Sequence, residues 1–152
     1  MLFLVLQLGE ERYAIEAGDI VEIVPFLRLR ALPQAPPYVA GVFDYRGELV
    51  PVIDMQALVR GEPSRPLMTT RIVVVRYVDE QVGERRLGLL TEEVVETLRR
   101  DPGEFQPAGI EVGEAPYLGP MTRDAQGLVQ QIRIEQLLPA PVRRQLFPEA
   151  AS

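Results

Sequence analysis

A chain of 152 residues with a formal charge of −6 and a pI near 4.8 fits one globular domain with an acidic surface. Such a surface does not suit phosphate backbones, so we expect no nucleic-acid partner. The chain has no cysteine, histidine or lysine, which excludes disulfides, thiol nucleophiles, histidine metal sites and lysine Schiff bases.

The first elements predicted along the chain are a hairpin and a short helical turn. The apolar run at residues 1–6 is too short to span a membrane and lacks a basic start, so we expect a cytoplasmic protein without membrane insertion. Strands at 3–8 and 12–15 flank a Gly-Glu-Glu turn, which predicts a hairpin. Residues 17–24 predict a helical turn followed by a strand. A proline-containing loop comes next.

The segment 41–55, GVFDYRGELVPVIDM, predicts two strands joined by a tight turn at Arg46-Gly47. Gly47 can take the positive φ that such turns often need, and the apolar residues around it, Leu49 among them, are expected to pack. Pro51 has no amide donor, so we expect its strand to lie at a sheet edge or a bulge. Arg46 at the tip is either a solvated charge or a recognition residue on a rigid scaffold.

The second half of the chain predicts more short strands. Asp54 is expected to cap a helix at 55–59, and the strand at 71–78, dense in β-branched residues, should pair with 85–90. The further predictions are a helix or strand at 92–99, a loop at 101–116, a strand at 128–134, a helical turn at 134–138 and a short helix at 141–147. This spacing favours small barrels or a sandwich and does not choose between them.

Four motifs in a fixed order resemble the signature of the CheW-like domain family, the adaptor proteins of bacterial chemosensory systems. The segment 41–54 follows the pattern G-x-x-x-x-R-G-x-x-x-P-x-x-D. The other three are DIVEIV at 19–24, LGLL followed by VV at 87–95, and YLG followed by GLV at 117–129. The resemblance covers almost the whole chain.

The resemblance implies a mainly all-β fold of two small five-stranded SH3-like β-barrels that share a hydrophobic seam, with a few short helices. It favours strand at 92–99. It also implies a single domain over 1–147, built from two barrel lobes, followed by a short tail at 148–152.

The resemblance further implies a non-catalytic adaptor without a cofactor. Its implied partners are the regulatory domain of a CheA-like histidine kinase and the cytoplasmic tip of a chemoreceptor, and self-association stays open. The alternative is a stand-alone small β-barrel that binds a peptide or a small ligand. An enzyme is the least favoured hypothesis, because Asp54 is expected to be a helix cap rather than a catalytic partner of Glu48.

The resemblance assigns a set of receptor- or partner-binding residues: Ile20, Glu22, Gly41, Phe43, Tyr45, Arg46 and Gly47. Arg46 is expected at the edge of the receptor groove, where Glu22 forms an ion pair with it. Gly41 is expected to allow close backbone approach, and Ile20 to lie near the groove. Phe43 and Tyr45 are expected to alternate in direction, so that one pointing outward would be an aromatic anchor. Many members carry Asn-Leu in place of Asp44-Tyr45, a change that bears on receptor choice.

Overall fold

The computed structural model describes residues 1–107 and 115–148, and β-strands dominate them. The strands are β1 (Leu2–Leu8), β2 (Glu11–Glu16), β3 (Ile20–Pro25), β4 (Val39–Tyr45), β5 (Glu48–Asp54), β6 (Arg71–Asp79), β7 (Gly83–Thr91), β8 (Glu93–Arg99), β9 (Leu118–Asp124) and β10 (Gly127–Ile132). The α-helices are α1 (Met55–Arg60) and α2 (Ala140–Leu146), and 3-10 turns cover Ala17–Asp19, Pro102–Glu104 and Ile134–Gln136. Within the described ranges, neither these helices nor the turns are long enough to cross a membrane.

The strands form two five-stranded sheets, which we call lobe 1 and lobe 2. Lobe 1 has the order β8-β1-β2-β10-β9, and lobe 2 has the order β3-β6-β7-β5-β4. In each lobe, the segment that follows one edge strand (β8 or β3) pairs with the edge strand on the opposite side of the sheet (β9 or β4). Arg30 pairs with Val42 of β4, and Gln106 pairs with Met121 of β9. These bridges curl each sheet toward closure, and the predicted pair of five-stranded SH3-like barrels is confirmed.

The two lobes repeat one arrangement with the halves of the chain exchanged. Strands β1–β5 give two strands to lobe 1 and three to lobe 2, whereas β6–β10 do the reverse. Each lobe contains one parallel pair, and each of the edge strands β3 and β8 carries a register shift. The shifts skip Val21 and Val95, so the residues that follow them, Glu22 and Glu96, occupy equivalent positions. Each half of the chain needs the other to complete a barrel.

One apolar cluster joins the lobes, and each lobe has a smaller core of its own. Alternate residues of β1 serve both purposes, because Leu4 and Leu6 lie in the shared cluster while Phe3 and Val5 lie in the core of lobe 1. We call the shared cluster the seam. Strand β6 divides in the same way between the seam and the core of lobe 2. Burial on both faces explains why these strands are continuous apolar runs, and each such side chain contributes about 1.5–3 kcal/mol to folding.

Most elements lie where the sequence predicts them. The hairpins β1–β2, β4–β5 and β6–β7, the strand β8 and both helices are confirmed. Asp54 caps α1, since its Oδ1 accepts a hydrogen bond from the backbone N–H of Ala57 at 3.2 Å. Strand β9 has no counterpart among the predicted strands, because LGPMTRD contains no β-branched run. Parts of the predicted loop and tail, at 108–114 and 149–152, lie outside the described residues.

The prediction that Pro51 lies at a sheet edge or a bulge is wrong, because Pro51 pairs with Val42 and the register shift of this ladder lies at Val39–Gly41. Strand β5 is an inner strand of lobe 2, between β4 and β7. Its ladder with β7 begins at Val52, so Pro51 precedes that ladder and its missing amide donor interrupts no pairing there. A short ladder thus accommodates a proline that a full-length inner strand would exclude.

Candidate functional site

The β4–β5 hairpin ends in a two-residue turn that places a cation at its tip. Arg46 and Gly47 have φ values of 52° and 88°, as tight hairpin turns require. Glycine adopts positive φ at little cost, whereas arginine does so uncommonly. The Oδ1 of Asp44 accepts a hydrogen bond from the backbone N–H of Gly47 at 2.7 Å, which fixes the turn. Uncommon backbone conformations of this kind cluster at functional sites.

Glu22 of β3 joins the tip of this hairpin to the edge of lobe 2. Its Oε1 accepts a hydrogen bond from the Tyr45 hydroxyl at 2.6 Å and another from Nη2 of Arg46 at 2.9 Å. The Cζ of Arg46 lies 5.3 Å from the centroid of the Tyr45 ring, within cation–π range. We call Glu22, Tyr45 and Arg46 the rim triad. The predicted ion pair between Arg46 and Glu22 is confirmed.

The rim triad is open to solvent on one side and packed on the other. The side chains of Arg46 and Glu22 are 76% and 39% exposed, whereas Tyr45 is buried. The hydrogen bond to the Glu22 carboxylate raises the pKa of the Tyr45 phenol, so the phenol remains a donor at neutral pH. An ion pair as exposed as this one contributes only about 0–1 kcal/mol to stability. The ion pair therefore holds two side chains in place at the surface and contributes little to folding.

Gly41 lies where β4 meets the chain that closes lobe 2. Its φ is 147°, and a Cβ at this position would lie 2.6 Å from the backbone oxygen of Arg30. Val42, the next residue, exchanges two backbone hydrogen bonds with Arg30, at 2.8 and 2.9 Å. The expected close approach of two backbones at Gly41 is therefore present. A role of Gly41 in binding stays a prediction.

The expected aromatic anchor is not found, because Phe43 and Tyr45 do not alternate in direction. Residues two apart in a strand share a face, and both side chains pack in the core of lobe 2. Their ring centroids are 6.1 Å apart in an edge-on arrangement. Phe43 and Tyr45 are only 7% and 8% exposed. Of the two side chains, only Tyr45 reaches the rim, through its hydroxyl.

Ile20 lies apart from the rim triad. The register shift at Val21 places Ile20 opposite Val75 of the seam and Glu22 opposite Val74 of the lobe 2 core. Directly paired residues share a face of the sheet, so Ile20 and Glu22 point to opposite sides of β3. Ile20 is half-buried against the seam. The bulge therefore separates two residues that strict alternation would place on one face.

Leu49 is a surface residue that the sequence interpretation treated as a packing residue. It follows the turn and is 72% exposed, while its neighbour Val50 is fully buried. Beside it, Arg86 and Glu48 form an ion pair at 2.6 Å. Strand alternation was the signal for the outward position of Leu49, because Val50 belongs to the core.

The carboxylates considered for catalysis are engaged elsewhere. Asp54 is buried and accepts hydrogen bonds from the backbone and the hydroxyl of Ser64, at 2.8 and 2.6 Å, besides capping α1. Glu48 pairs with Arg86. Across the parts of the chain that the structure describes, acidic, histidine and cysteine residues form no group of three that could hold a metal ion.

An open cavity of about 590 Å³ lies at one end of the seam, away from the residues of the rim triad. Tyr38, Tyr117 and Leu137 line it together with Arg143. Burial raises the pKa of both phenols. The size of this cavity suits a small organic molecule.

Comparison with protein families gives one match over nearly the whole chain, since a model described as CheW-like domain matches residues 2–142. Several curated proteins are similar over shorter stretches. The chemotaxis protein CheW of Helicobacter pylori is 36% identical over 76 residues, which are 50% of this chain and 46% of that protein. The CheW of Treponema pallidum is 45% identical over 49 residues, 32% of this chain and 29% of that protein. These matches span less than half of either relative.

A solved structure shares the fold. The crystal structure of the scaffolding protein TtCheW from Thermoanaerobacter tengcongensis superposes with a TM-score of 0.80. It is 20% identical in sequence, and the superposition covers 93% of this chain and 89% of the other. Identity this low supports the fold and no more than the fold.

Proposed function

Since the chain belongs to the CheW-like domain family, we propose that it is a non-catalytic adaptor that couples a methyl-accepting chemoreceptor to a CheA-like histidine kinase. The names of its relatives support a place in chemotaxis. In this proposal the protein acts in the cytoplasm, at receptor assemblies on the membrane. It transmits the state of the receptor by geometry and performs no chemistry of its own.

The kinase partner in this proposal is the regulatory domain, itself CheW-like. One barrel of the adaptor docks pseudo-symmetrically against a barrel of that domain. Leu49, an exposed apolar side chain beside an ion pair, suits an anchor at such a contact. Leu128, the second residue of β10 as Leu49 is of β5, is 49% exposed in lobe 1. A second apolar position of this kind is consistent with self-association, which stays an expectation.

The receptor partner in this proposal meets the rim triad. A receptor tip is a helical hairpin, and a helix laid in a groove requires apolar contacts with charged residues at the rim. The single observation that carries the proposal is the ion pair between Glu22 of β3 and Arg46 of the β4–β5 turn, in a chain that matches the family over residues 2–142. Arg46 combines high exposure with a fixed backbone, as a recognition residue should.

Calorimetric titrations test both halves of the proposal. The purified chain is titrated with the regulatory domain of each CheA-like kinase of the same genome, and separately with the receptor tips. We expect the wild type to bind both partners, and Arg46→Glu to bind the kinase alone. This substitution reverses the charge at the tip and sets two carboxylates side by side.

Arg76→Glu is the matched control for this experiment. Arg76 is half-exposed in the same lobe and forms an ion pair with Glu84 at 2.7 Å. It should bind both partners as the wild type does. Failure of the wild type to bind any kinase would overturn the coupling role. Equal loss of receptor binding in both variants would mean that net charge, rather than the rim triad, governs the contact.

One observation favours the alternative, a barrel that binds a small ligand. The cavity at the end of the seam has two phenols and a guanidinium in its lining. In that case the chain would bind no kinase, and a small molecule filling the cavity would raise its melting temperature. The titrations above therefore distinguish the two functions.

A further inference from the structure

The rim triad contains a phenol that core packing alone does not require. The ring of Tyr45 lies in the core of lobe 2 with Phe43 and Val50, where an apolar side chain of similar volume would serve as well. Its hydroxyl extends from that core to the Glu22 carboxylate at 2.6 Å. Phenylalanine or leucine would pack in this place and could not donate that hydrogen bond.

From this contact we infer that Tyr45 is a positioning residue, which holds the Glu22 carboxylate and the Arg46 guanidinium in one arrangement and thereby governs which receptor tips the rim accepts. The inference rests on the proposed function and adds a specificity determinant to the same site. Tyr45 acts through its neighbours, because a side chain that is 8% exposed offers a partner little surface of its own.

The need for a positioning residue follows from the flexibility of the other two. Glutamate and arginine lose much rotamer freedom when they are held in one geometry, and exposed pairs of them are weak for that reason. Tyr45 contacts both at once, with its hydroxyl on Glu22 and its ring 5.3 Å from the Cζ of Arg46. A guanidinium held in this way loses less freedom when a partner binds.

The arrangement leaves hydrogen-bonding capacity for a partner. Within residues 1–107 and 115–148, the Arg46 side chain has one hydrogen bond, from Nη2 to Glu22. Its Nη1 and Nε donors remain for acceptors on a receptor tip. The backbone is fixed as well, since Arg46 sits at a φ of 52° in the turn that Asp44 stabilises. The side chain and the backbone of Arg46 are thus both held in one geometry before a partner binds.

Tyr45→Phe tests the inference, because it removes the hydroxyl and keeps the ring. We expect the affinity for the receptor tip to fall about fivefold, because the freed Glu22 side chain must then be ordered when the receptor binds, while kinase binding stays unchanged. Tyr13→Phe is the matched control. Tyr13 is also 8% exposed but lies in the seam. It should change neither affinity.

A double-mutant cycle separates positioning from packing. If Tyr45 acts through Glu22, then Tyr45→Phe added to Glu22→Leu, which has no acceptor for the phenol, should change receptor affinity by less than about twofold. A second measurement needs no receptor. In assigned NMR spectra, the Nε–H of Arg46 should be more mobile in Tyr45→Phe than in the wild type. Glu22→Gln should also lower the pKa of the Tyr45 phenol, because it removes the carboxylate that raises it.

The outcomes distinguish this inference from the proposed function. If the wild type binds a receptor tip and Tyr45→Phe binds it equally well, the positioning role is overturned and the adaptor stands. If the wild type binds no receptor tip, the proposed function fails, and the mobility of the Arg46 Nε–H then decides: unchanged mobility overturns the positioning role, and increased mobility supports it. An effect of Tyr45→Phe that persists in full in Glu22→Leu overturns the route through Glu22.

Discussion

The two lobes carry ion clusters at equivalent places, and they differ in burial. Glu22 in lobe 2 and Glu96 in lobe 1 both follow the bulged residue of an edge strand. In lobe 1, Arg12 of β2 binds Glu96 at 2.5 Å and both oxygens of Asp124, at 2.8 and 2.7 Å. Arg12 is 9% exposed, whereas Arg46 of the rim triad is 76% exposed. The two lobes therefore share one arrangement of strands, but the arginine is buried in lobe 1 and exposed in lobe 2.

The burial of the arginine differs because different elements carry it in the two lobes. In lobe 1 it comes from β2, an inner strand, so its side chain crosses the end of the barrel and ties β2, β8 and β9 together. In lobe 2 the arginine comes from a turn, and a tyrosine occupies the strand end where lobe 1 has Asp124. An inward cation stabilises the fold, while an outward one is available to a partner. Both clusters have the same chemistry, and burial gives them different roles.

The largest effect should come from Arg12→Met. The substitution keeps an apolar stem but leaves Asp124, which is 14% exposed, and Glu96 without their cation. Removing one member of a largely buried pair should lower the free energy of unfolding by about 3 kcal/mol. Urea unfolding of the wild type and the variant measures this loss. Arg76→Met, at an exposed pair, should lose less than about 1 kcal/mol. Similar losses at the two positions would contradict the comparison.

A smaller effect should appear in the pH dependence of stability. The hydrogen bonds from Arg12 lower the pKa of Asp124 from its usual 3.8 to about 2. As the pH falls, the unfolded chain therefore takes up this proton first, and stability is lost between about pH 4 and pH 2. We expect this group to contribute about 1–2 kcal/mol above that window, less than full linkage because solvent screens the pair.

Asp124→Asn provides the measurement of this contribution. Urea midpoints of the wild type and the variant should differ most near neutral pH and should converge as the pH falls below about 4. A difference that stays constant over the whole range would mean that the charge of Asp124 is not what stabilises lobe 1.

The sequence predicted the fold better than it predicted side-chain directions. The strands followed from β-branched runs and turn residues, and the resemblance supplied the two barrels. The ion pair between Glu22 and Arg46 also followed from it. Register is what the sequence did not predict. The bulge at Val21 places Ile20 and Glu22 on opposite faces of β3, and no local pattern marks a bulge there. The binding role of Ile20 stays a prediction.

Other features of the site depend on distant parts of the chain. The inner position of Pro51 results from a ladder with β7 that begins one residue later, and only the assembled sheet shows its length. The Arg12 cluster joins residues that are 84 and 112 positions apart, and no sequence interpretation proposed it. Phe43 and Tyr45 are a different case, because strict alternation alone places both on one face.

The smallest effect on stability should come from Arg46→Asn, and this variant gives the sharpest contrast with Arg12→Met. Asparagine tolerates the left-handed backbone at position 46 better than arginine does. That gain offsets the loss of an exposed ion pair, so the free energy of unfolding should change by less than about 0.5 kcal/mol. Receptor binding should nevertheless be lost, because the guanidinium is gone.

Arg12→Met should do the opposite: measured well below its melting temperature, it should bind the receptor tip as the wild type does. Calorimetry and urea unfolding should show that Arg46→Asn loses receptor binding and keeps its stability, whereas Arg12→Met loses stability and keeps receptor binding. If Arg46→Asn lost stability and kept its binding, the exposed cation would be structural, and the division of roles between the lobes would be wrong.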